Sequence, residues 1–70
     1  MDKRVVWSSH IDRIGYEVGT QELQVDYSNG TMAVYEGVKP ERWQRINNSE
    51  SIGAAIHELV RGRHPHRYVE

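Results

Sequence analysis

Residues 22–27 have the sequence Glu-Leu-Gln-Val-Asp-Tyr, residues 28–30 are Ser-Asn-Gly, and residues 31–40 are Thr-Met-Ala-Val-Tyr-Glu-Gly-Val-Lys-Pro. The first and last of these segments each contain a short run in which apolar side chains alternate with others, a pattern typical of β-strands. Asn-Gly between two such runs is the strongest local signal for a β-hairpin. The stretch therefore predicts two antiparallel strands, and we expect the rest of the chain to pack against them.

The sequence allows two registers for this hairpin. A two-residue Asn-Gly loop, the usual type I′ turn, would turn Met32 and Val34 to the face that carries Leu23. A three-residue Ser-Asn-Gly loop would turn Ala33 and Tyr35 to that face instead. The two registers exclude each other, because a slip of one residue moves every side chain to the opposite face. Turn preference alone favours the two-residue loop.

Residues 13–18 alternate in the same way and predict another strand, and Val-Val-Trp at 5–7 is a candidate short edge strand. One helix is predicted to begin at Pro40, and an apolar stripe over 52–60 predicts a second. Strands followed by helices predict an α+β fold: a three-stranded antiparallel meander followed by two helices packed on one face. We expect residues 63–70 to form a basic, histidine-containing tail in solvent.

Length and composition restrict the class of protein. Seventy residues form at most one domain, and we expect a single domain over 1–70, with flexible ends at 1–4 and 69–70. The chain has no cysteine and no long apolar segment, and its first residues do not resemble a signal peptide, so we expect a cytoplasmic, monomeric protein with no membrane partner. Residues 1–38 carry a net charge of −3 and residues 39–70 one of +2, so an anion-binding face is expected only in the second part.

A series of short segments in a fixed order supports a family assignment. They are Ser8-Ser9-His10-Ile11, Ile14-Gly15-Tyr16, Leu23-Gln24-Val25-Asp26-Tyr27, Gly30, Tyr35, Val38, Ser51-Ile52-Gly53, Ile56 and Val60-Arg61-Gly62-Arg63-His64-Pro65. Over about residues 8–68 the chain thereby resembles the KTSC domain, which is found at the C-terminus of some lysyl-tRNA synthetases and as stand-alone bacterial proteins.

The resemblance also bears on the hairpin register. The family's central Tyr-x-Tyr appears here as Ala33-Val34-Tyr35, so only the second tyrosine is present. A family that places Leu-x-Val-x-aromatic beside Tyr-x-Tyr implies that both motifs lie on one buried face. We therefore give the three-residue loop preference over the register that turn propensity favours.

For function, the resemblance suggests weak RNA binding, because the domain is fused to a synthetase. Stacking on bases would come from Tyr68 and, where the register exposes it, from Tyr35. The side chains expected to contact phosphates are Arg61, Arg63, His64 and Arg67. The alternative is a protein-interaction module that uses an edge strand or an exposed apolar patch with Trp7 or Trp43.

The residues offer little support for an enzyme or a metal site. His64-Pro65-His66 supplies two imidazoles, whereas zinc sites use three or four protein ligands. Ser8-Ser9-His10 and Asp12 include the residue types of a catalytic triad, but sequence adjacency does not make one. We therefore expect no catalytic residue, no metal and no cofactor.

Overall fold

Five antiparallel strands form one sheet in sequence order, and two helices lie between the fourth and fifth strands in the chain. The computed structural model describes residues 3–69. Its elements are β1 (Lys3–Val5), β2 (Ile11–Glu17), β3 (Glu22–Tyr27), β4 (Met32–Tyr35), α1 (Pro40–Asn47), α2 (Ile52–Leu59) and β5 (His66–Val69). The expected flexible ends include Met1, Asp2 and Glu70, which lie outside the described residues. The other residues of those ends, Lys3, Arg4 and Val69, belong to β1 and β5.

The β3–β4 hairpin has the three-residue loop. The N–H of Tyr27 donates to the carbonyl of Thr31 at 2.8 Å, and Gly30 has a φ of +90°, which an L side chain rarely adopts. Leu23 is therefore opposite Tyr35. The register implied by the family resemblance is confirmed, and the one favoured by turn preference is wrong. The observed register buries the ring of Tyr35 in the core, and burying an aromatic ring is a large gain that turn type alone does not match.

Local signals explain where the two helices begin. Pro40 is the first residue of α1, where its fixed φ suits the helix and its missing N–H leaves no unpaired donor. Ser51 caps α2, because its Oγ accepts a hydrogen bond from the N–H of Ala54 at 3.3 Å. Both predicted helices are confirmed.

The core lies between the helices and one face of the sheet. Side chains alternate along the strands, so the sheet has two faces. We call the face towards the helices the helix face and the opposite face the open face. The fully buried large side chains of this core are Ile14, Leu23, Val25, Val38, Ile46, Ile56 and Val60.

The open face carries charged side chains in ion pairs. Asp26 is 7% exposed, and its carboxylate lies 3.0 Å from the ammonium of Lys3 and 3.7 Å from the guanidinium of Arg13. The ion pair with Lys3 connects β1 to β3 across β2. The sequence placed a candidate edge strand at residues 5–7, and the strand instead covers Lys3–Val5.

The fifth strand corrects the prediction of a three-stranded sheet. β5 pairs with β4, with His66 opposite Tyr35 and Tyr68 opposite Ala33. Residues His66–Val69 therefore form a strand instead of the expected tail, although all four remain exposed to solvent. Without β5, β4 would present a row of unpaired backbone groups beside a hydrophobic core, and β5 satisfies them.

Replacing Gly30 with alanine is expected to lower the free energy of unfolding by about 1–2 kcal/mol, the cost of a left-handed backbone for an L residue. No atom lies within 4 Å of the added Cβ, so the loss would report backbone strain alone. Urea denaturation measures the difference. Gly19→Ala is the control, because Gly19 has no positive φ and its added Cβ would make only an ordinary contact of 3.5 Å with Glu17. Equal losses in both variants would contradict the assigned role of Gly30.

Candidate functional site

A cleft of about 1010 Å³ opens between the β3–β4 turn, β5 and the segment that follows α2. We call it the aromatic cleft. The side chains that give it chemical character are His10, Tyr27, Tyr35, Arg61, His66 and Tyr68. Four of these, Tyr27, Tyr35, His66 and Tyr68, lie on the central hairpin and its neighbour β5, and alternation along each strand turns them to one face.

Two tyrosine hydroxyls meet at the buried side of the cleft. Tyr27 and Tyr35 project from the helix face, and their Oη atoms lie 2.8 Å apart. Burial raises the pKa of Tyr27, and the hydrogen bond with Tyr35 raises it further, whereas the positive charge of Arg61 lowers it to a smaller extent. An ordinary tyrosine is already neutral at physiological pH, and the raised pKa of Tyr27 extends the range in which its hydroxyl keeps its proton to more alkaline solutions.

The aromatic row continues along β5 towards solvent. The ring of His66 lies 5.5 Å from that of Tyr35 and 5.4 Å from that of Tyr68, the latter at an interplanar angle of 83°. Tyr35 is 4% exposed, whereas Tyr68 is 65% exposed. The cleft thus has a buried aromatic floor and an exposed aromatic rim.

The structure divides the six residues that the sequence proposed for RNA contact. Tyr35, Arg61 and Tyr68 line the aromatic cleft. Arg63 lies outside it, and its Nε donates to the carbonyl of Glu58 at 2.9 Å.

His64 also lies outside the cleft, and both of its ring nitrogens have protein partners. Nδ1 is 3.1 Å from the carbonyl of Glu36, and Nε2 is 3.4 Å from Nη1 of Arg42. A carbonyl only accepts and a guanidinium only donates, so Nδ1 carries the proton and Nε2 accepts. This imidazole joins the segment after α2 to the β4–α1 connection and to α1.

Arg67 lies on the open face, with the sheet between it and Tyr68. Its guanidinium is 2.8 Å from the carboxylate of Glu22 and 3.3 Å from that of Glu36. The hydrogen bond from Arg67 lowers the pKa of Glu22. The single basic face predicted from the sequence is therefore wrong for Arg67, since adjacent strand residues point to opposite faces.

Sequence reasoning missed Tyr27, His66 and His10 as residues of this site. Tyr27 continues the alternation of Leu23 and Val25, and this pattern predicts a core position for it. The spacing of His66 and Tyr68, two residues apart, could have shown that they share a face if β5 had been predicted as a strand.

Two general features of the described residues bear on possible ligands. Nowhere in residues 3–69 do three or more His, Asp or Glu side chains come together as a metal site would require. Neither helix in this part of the chain has the length and apolar character needed to cross a membrane.

The fold defines a small α+β domain in which two short helices cover part of one face of an antiparallel meander. The sequence pattern of the KTSC domain matches residues 7–64, and the chain belongs to this family. The resemblance noted in the sequence is confirmed. The match ends before β5, so His66 and Tyr68 lie beyond the matched residues.

Two similar proteins were found by comparison. An uncharacterised protein of Stutzerimonas stutzeri (strain A1501) is 31% identical over 68 residues, which cover 97% of this chain and 94% of that protein. The crystal structure of a KTSC domain protein from Yersinia pestis has a TM-score of 0.91 and 24% identity, covering 99% of this chain and 97% of that one. The second comparison shows a shared fold.

Tyr27 is expected to ionise at a higher pH than an ordinary tyrosine. Because the folded state favours its neutral form, its contribution to stability is complete below about pH 10, the usual tyrosine pKa, and is lost as the pH rises further. Spectrophotometric titration of tyrosinate, with Tyr27→Phe to identify the signal, measures this. Tyr35→Phe should lower the pKa of Tyr27 without restoring the ordinary value, since burial is the larger cause. Ionisation of Tyr27 at the ordinary tyrosine pKa would contradict the assignment.

Proposed function

We propose that this KTSC domain is a non-catalytic module that binds single-stranded RNA in the aromatic cleft. The observation that carries the proposal is the meeting of an exposed tyrosine ring, Tyr68, with His66 and the cation Arg61 at one concave site. Proteins that hold single strands use aromatic faces for base stacking and cations for phosphates.

The tyrosine hydroxyls add hydrogen-bonding groups suited to the edge of a base. Within the Tyr27–Tyr35 pair one hydroxyl donates to the other, so one O–H proton and several lone pairs remain for a ligand. Tyrosine hydroxyls keep their proton at neutral pH, so that donor is present there. A base that stacks on Tyr68 would therefore find both a donor and acceptors deeper in the cleft.

The distribution of charge supports the cleft as the place for an anion. On the open face, Arg67 is paired with Glu22 and Glu36. Within the described residues, Arg61 makes no ion pair with a carboxylate and stands beside aromatic rings. An unpaired guanidinium at the rim is the better partner for a phosphate, since no carboxylate has to be displaced.

Tyr68→Ala is expected to weaken binding of a fluorescein-labelled oligouridylate by about 1–3 kcal/mol, the loss typical of one stacked base. Arg61→Gln should weaken binding and reduce the slope of log affinity against log salt by about 0.7, the value for one phosphate contact on a single strand. Fluorescence anisotropy at several salt concentrations measures both effects.

Arg67→Gln is the matched control for Arg61→Gln. It removes the same charge from the opposite face of the sheet and should leave the salt slope unchanged. Equal effects of the two substitutions would show that RNA affinity depends only on the net charge of the protein, and the cleft would then not be the specific binding site. Absence of binding by the unmodified protein would rule out the proposed function.

A second candidate function, protein binding, rests on Trp7. Its side chain is 97% exposed, and Val5 on the adjacent edge strand is 60% exposed. A large exposed aromatic beside an edge strand is typical of a docking surface for another protein. Trp43, the other tryptophan considered, stacks on Tyr16 at a centroid distance of 5.3 Å and packs against the core.

Trp7→Ala is expected to leave the free energy of unfolding within about 0.5 kcal/mol of the original value, as for other exposed sites. If a protein partner docks here, this substitution should abolish its recovery in a nuclease-treated pull-down, whereas Tyr68→Ala should retain it. If the Trp7→Ala variant still recovers the partner, the surface around Trp7 is excluded as its docking site.

A further inference from the structure

Basic side chains outside the aromatic cleft gather in a second concavity beside α1. Lys39, Arg42, Arg45 and Arg63 line it, together with His64 and one carboxylate, Glu41. Lys39 immediately precedes α1, Arg42 and Arg45 lie on that helix, and Arg63 follows α2. Elements distant in sequence thus bring four cations together.

This basic groove is continuous with the aromatic cleft. A shallow depression between them includes Arg61 and Gly62, which also line the cleft, and Arg63, which also lines the basic groove. Ala54, His57 and Glu58 complete its lining. The three concavities adjoin one another around the C-terminal end of α2, and we call the path through them the basic track.

The end of α2 holds two guanidinium groups of the track in place. Nη1 of Arg42 donates to the carbonyl of Leu59 at 2.6 Å, and Nε of Arg63 donates to that of Glu58 at 2.9 Å. Carbonyls at a helix C-terminus carry partial negative charge, which favours cations there. Each guanidinium has five N–H groups, so both retain donors for a ligand after these contacts.

The other two cations of the groove are not engaged by the protein. Lys39 and Arg45 are exposed, and neither side chain forms a hydrogen bond or an ion pair with any other residue in the part of the chain from Lys3 to Val69. The whole track holds five arginine and lysine side chains against two carboxylates, Glu41 and Glu58. The open face differs, because its arginines are paired with acidic residues.

We propose that the basic track binds the phosphodiester backbone of the RNA strand whose bases enter the aromatic cleft. The inference rests on the proposed function and extends it, because it assigns the path of the strand beyond the cleft. Bases of the strand stack on Tyr68 in the cleft. The phosphates that follow contact Arg61, then Arg63, and finally Lys39 and Arg45. Longer strands therefore gain contacts that strands confined to the cleft do not make.

The test compares oligouridylates of roughly 4 and 12 nucleotides, which span the usual site sizes of small single-strand-binding folds. The double variant Lys39→Gln/Arg45→Gln should lower the affinity for the longer strand several-fold and reduce its salt slope by about 1.4, the value for two phosphate contacts. Its affinity for the shorter strand should not change. Both side chains are exposed, so we expect the variant to fold, which circular dichroism checks.

Arg13→Gln/Arg67→Gln is the charge-matched control, because it removes two cations from the open face. If the control lowers the affinity for the longer strand as much as Lys39→Gln/Arg45→Gln does, the proposal that the basic track binds RNA is overturned. Lys39→Gln/Arg45→Gln could leave the salt slope unchanged while Tyr68→Ala still lowers the affinity for both strands. That result would overturn the proposal for the basic track and leave the aromatic cleft as the binding site. Absence of binding by the unmodified protein to either strand would overturn both proposals.

Discussion

The left-handed backbone at Gly30 is the constraint on which the rest of the sheet depends. It closes a three-residue loop and places Tyr35 opposite Leu23, on the helix face. A two-residue loop would turn Tyr35 to the open face while Tyr27 stayed where it is. The hydroxyl pair at 2.8 Å would then be separated by the sheet itself. The backbone conformation of Gly30 therefore decides whether Tyr35 lies beside Tyr27 at the buried side of the aromatic cleft.

The central part of the fold could be predicted because its signals are local. Alternation over 22–27, a proline at the first turn of α1 and a serine cap before α2 each act within a few residues. The hairpin register needed more, because turn preference and burial of Tyr35 point to different loops. The family resemblance carried the information about burial that a single turn motif lacks.

β5 could not be predicted for the opposite reason, since its signal is not local. His66–Val69 is four residues long with one clearly apolar side chain, so no alternation stands out. The strand forms because β4 has an unpaired edge, and because Gly62, with a φ of +78°, helps to turn the chain back after α2. Pairing between segments on either side of two helices depends on the assembled structure rather than on any window of sequence.

Only part of the candidate site could be predicted, because the face on which a residue lies depends on the assembled sheet. A basic segment with Tyr68 could be read from composition, but composition does not say which face of a strand a residue occupies. Arg67 and Tyr68 are neighbours in sequence and lie on opposite faces of the sheet. Ala33 stands where the resemblance expects a tyrosine, and its partner on β5 is Tyr68. An aromatic ring thus reaches this part of the helix face from another strand.

The cleft itself follows from the shortness of the chain. Each helix has eight residues, or about 12 Å, whereas five strands span about 19 Å across the sheet. The two helices leave the part of the helix face beside the β3–β4 turn uncovered, and the aromatic cleft opens there. Tyrosines suit such a boundary because their rings pack on the core while their hydroxyls meet solvent or a ligand. An additional turn at the end of α2 would bury more of this surface, and it would do so by filling the concavity that a ligand needs.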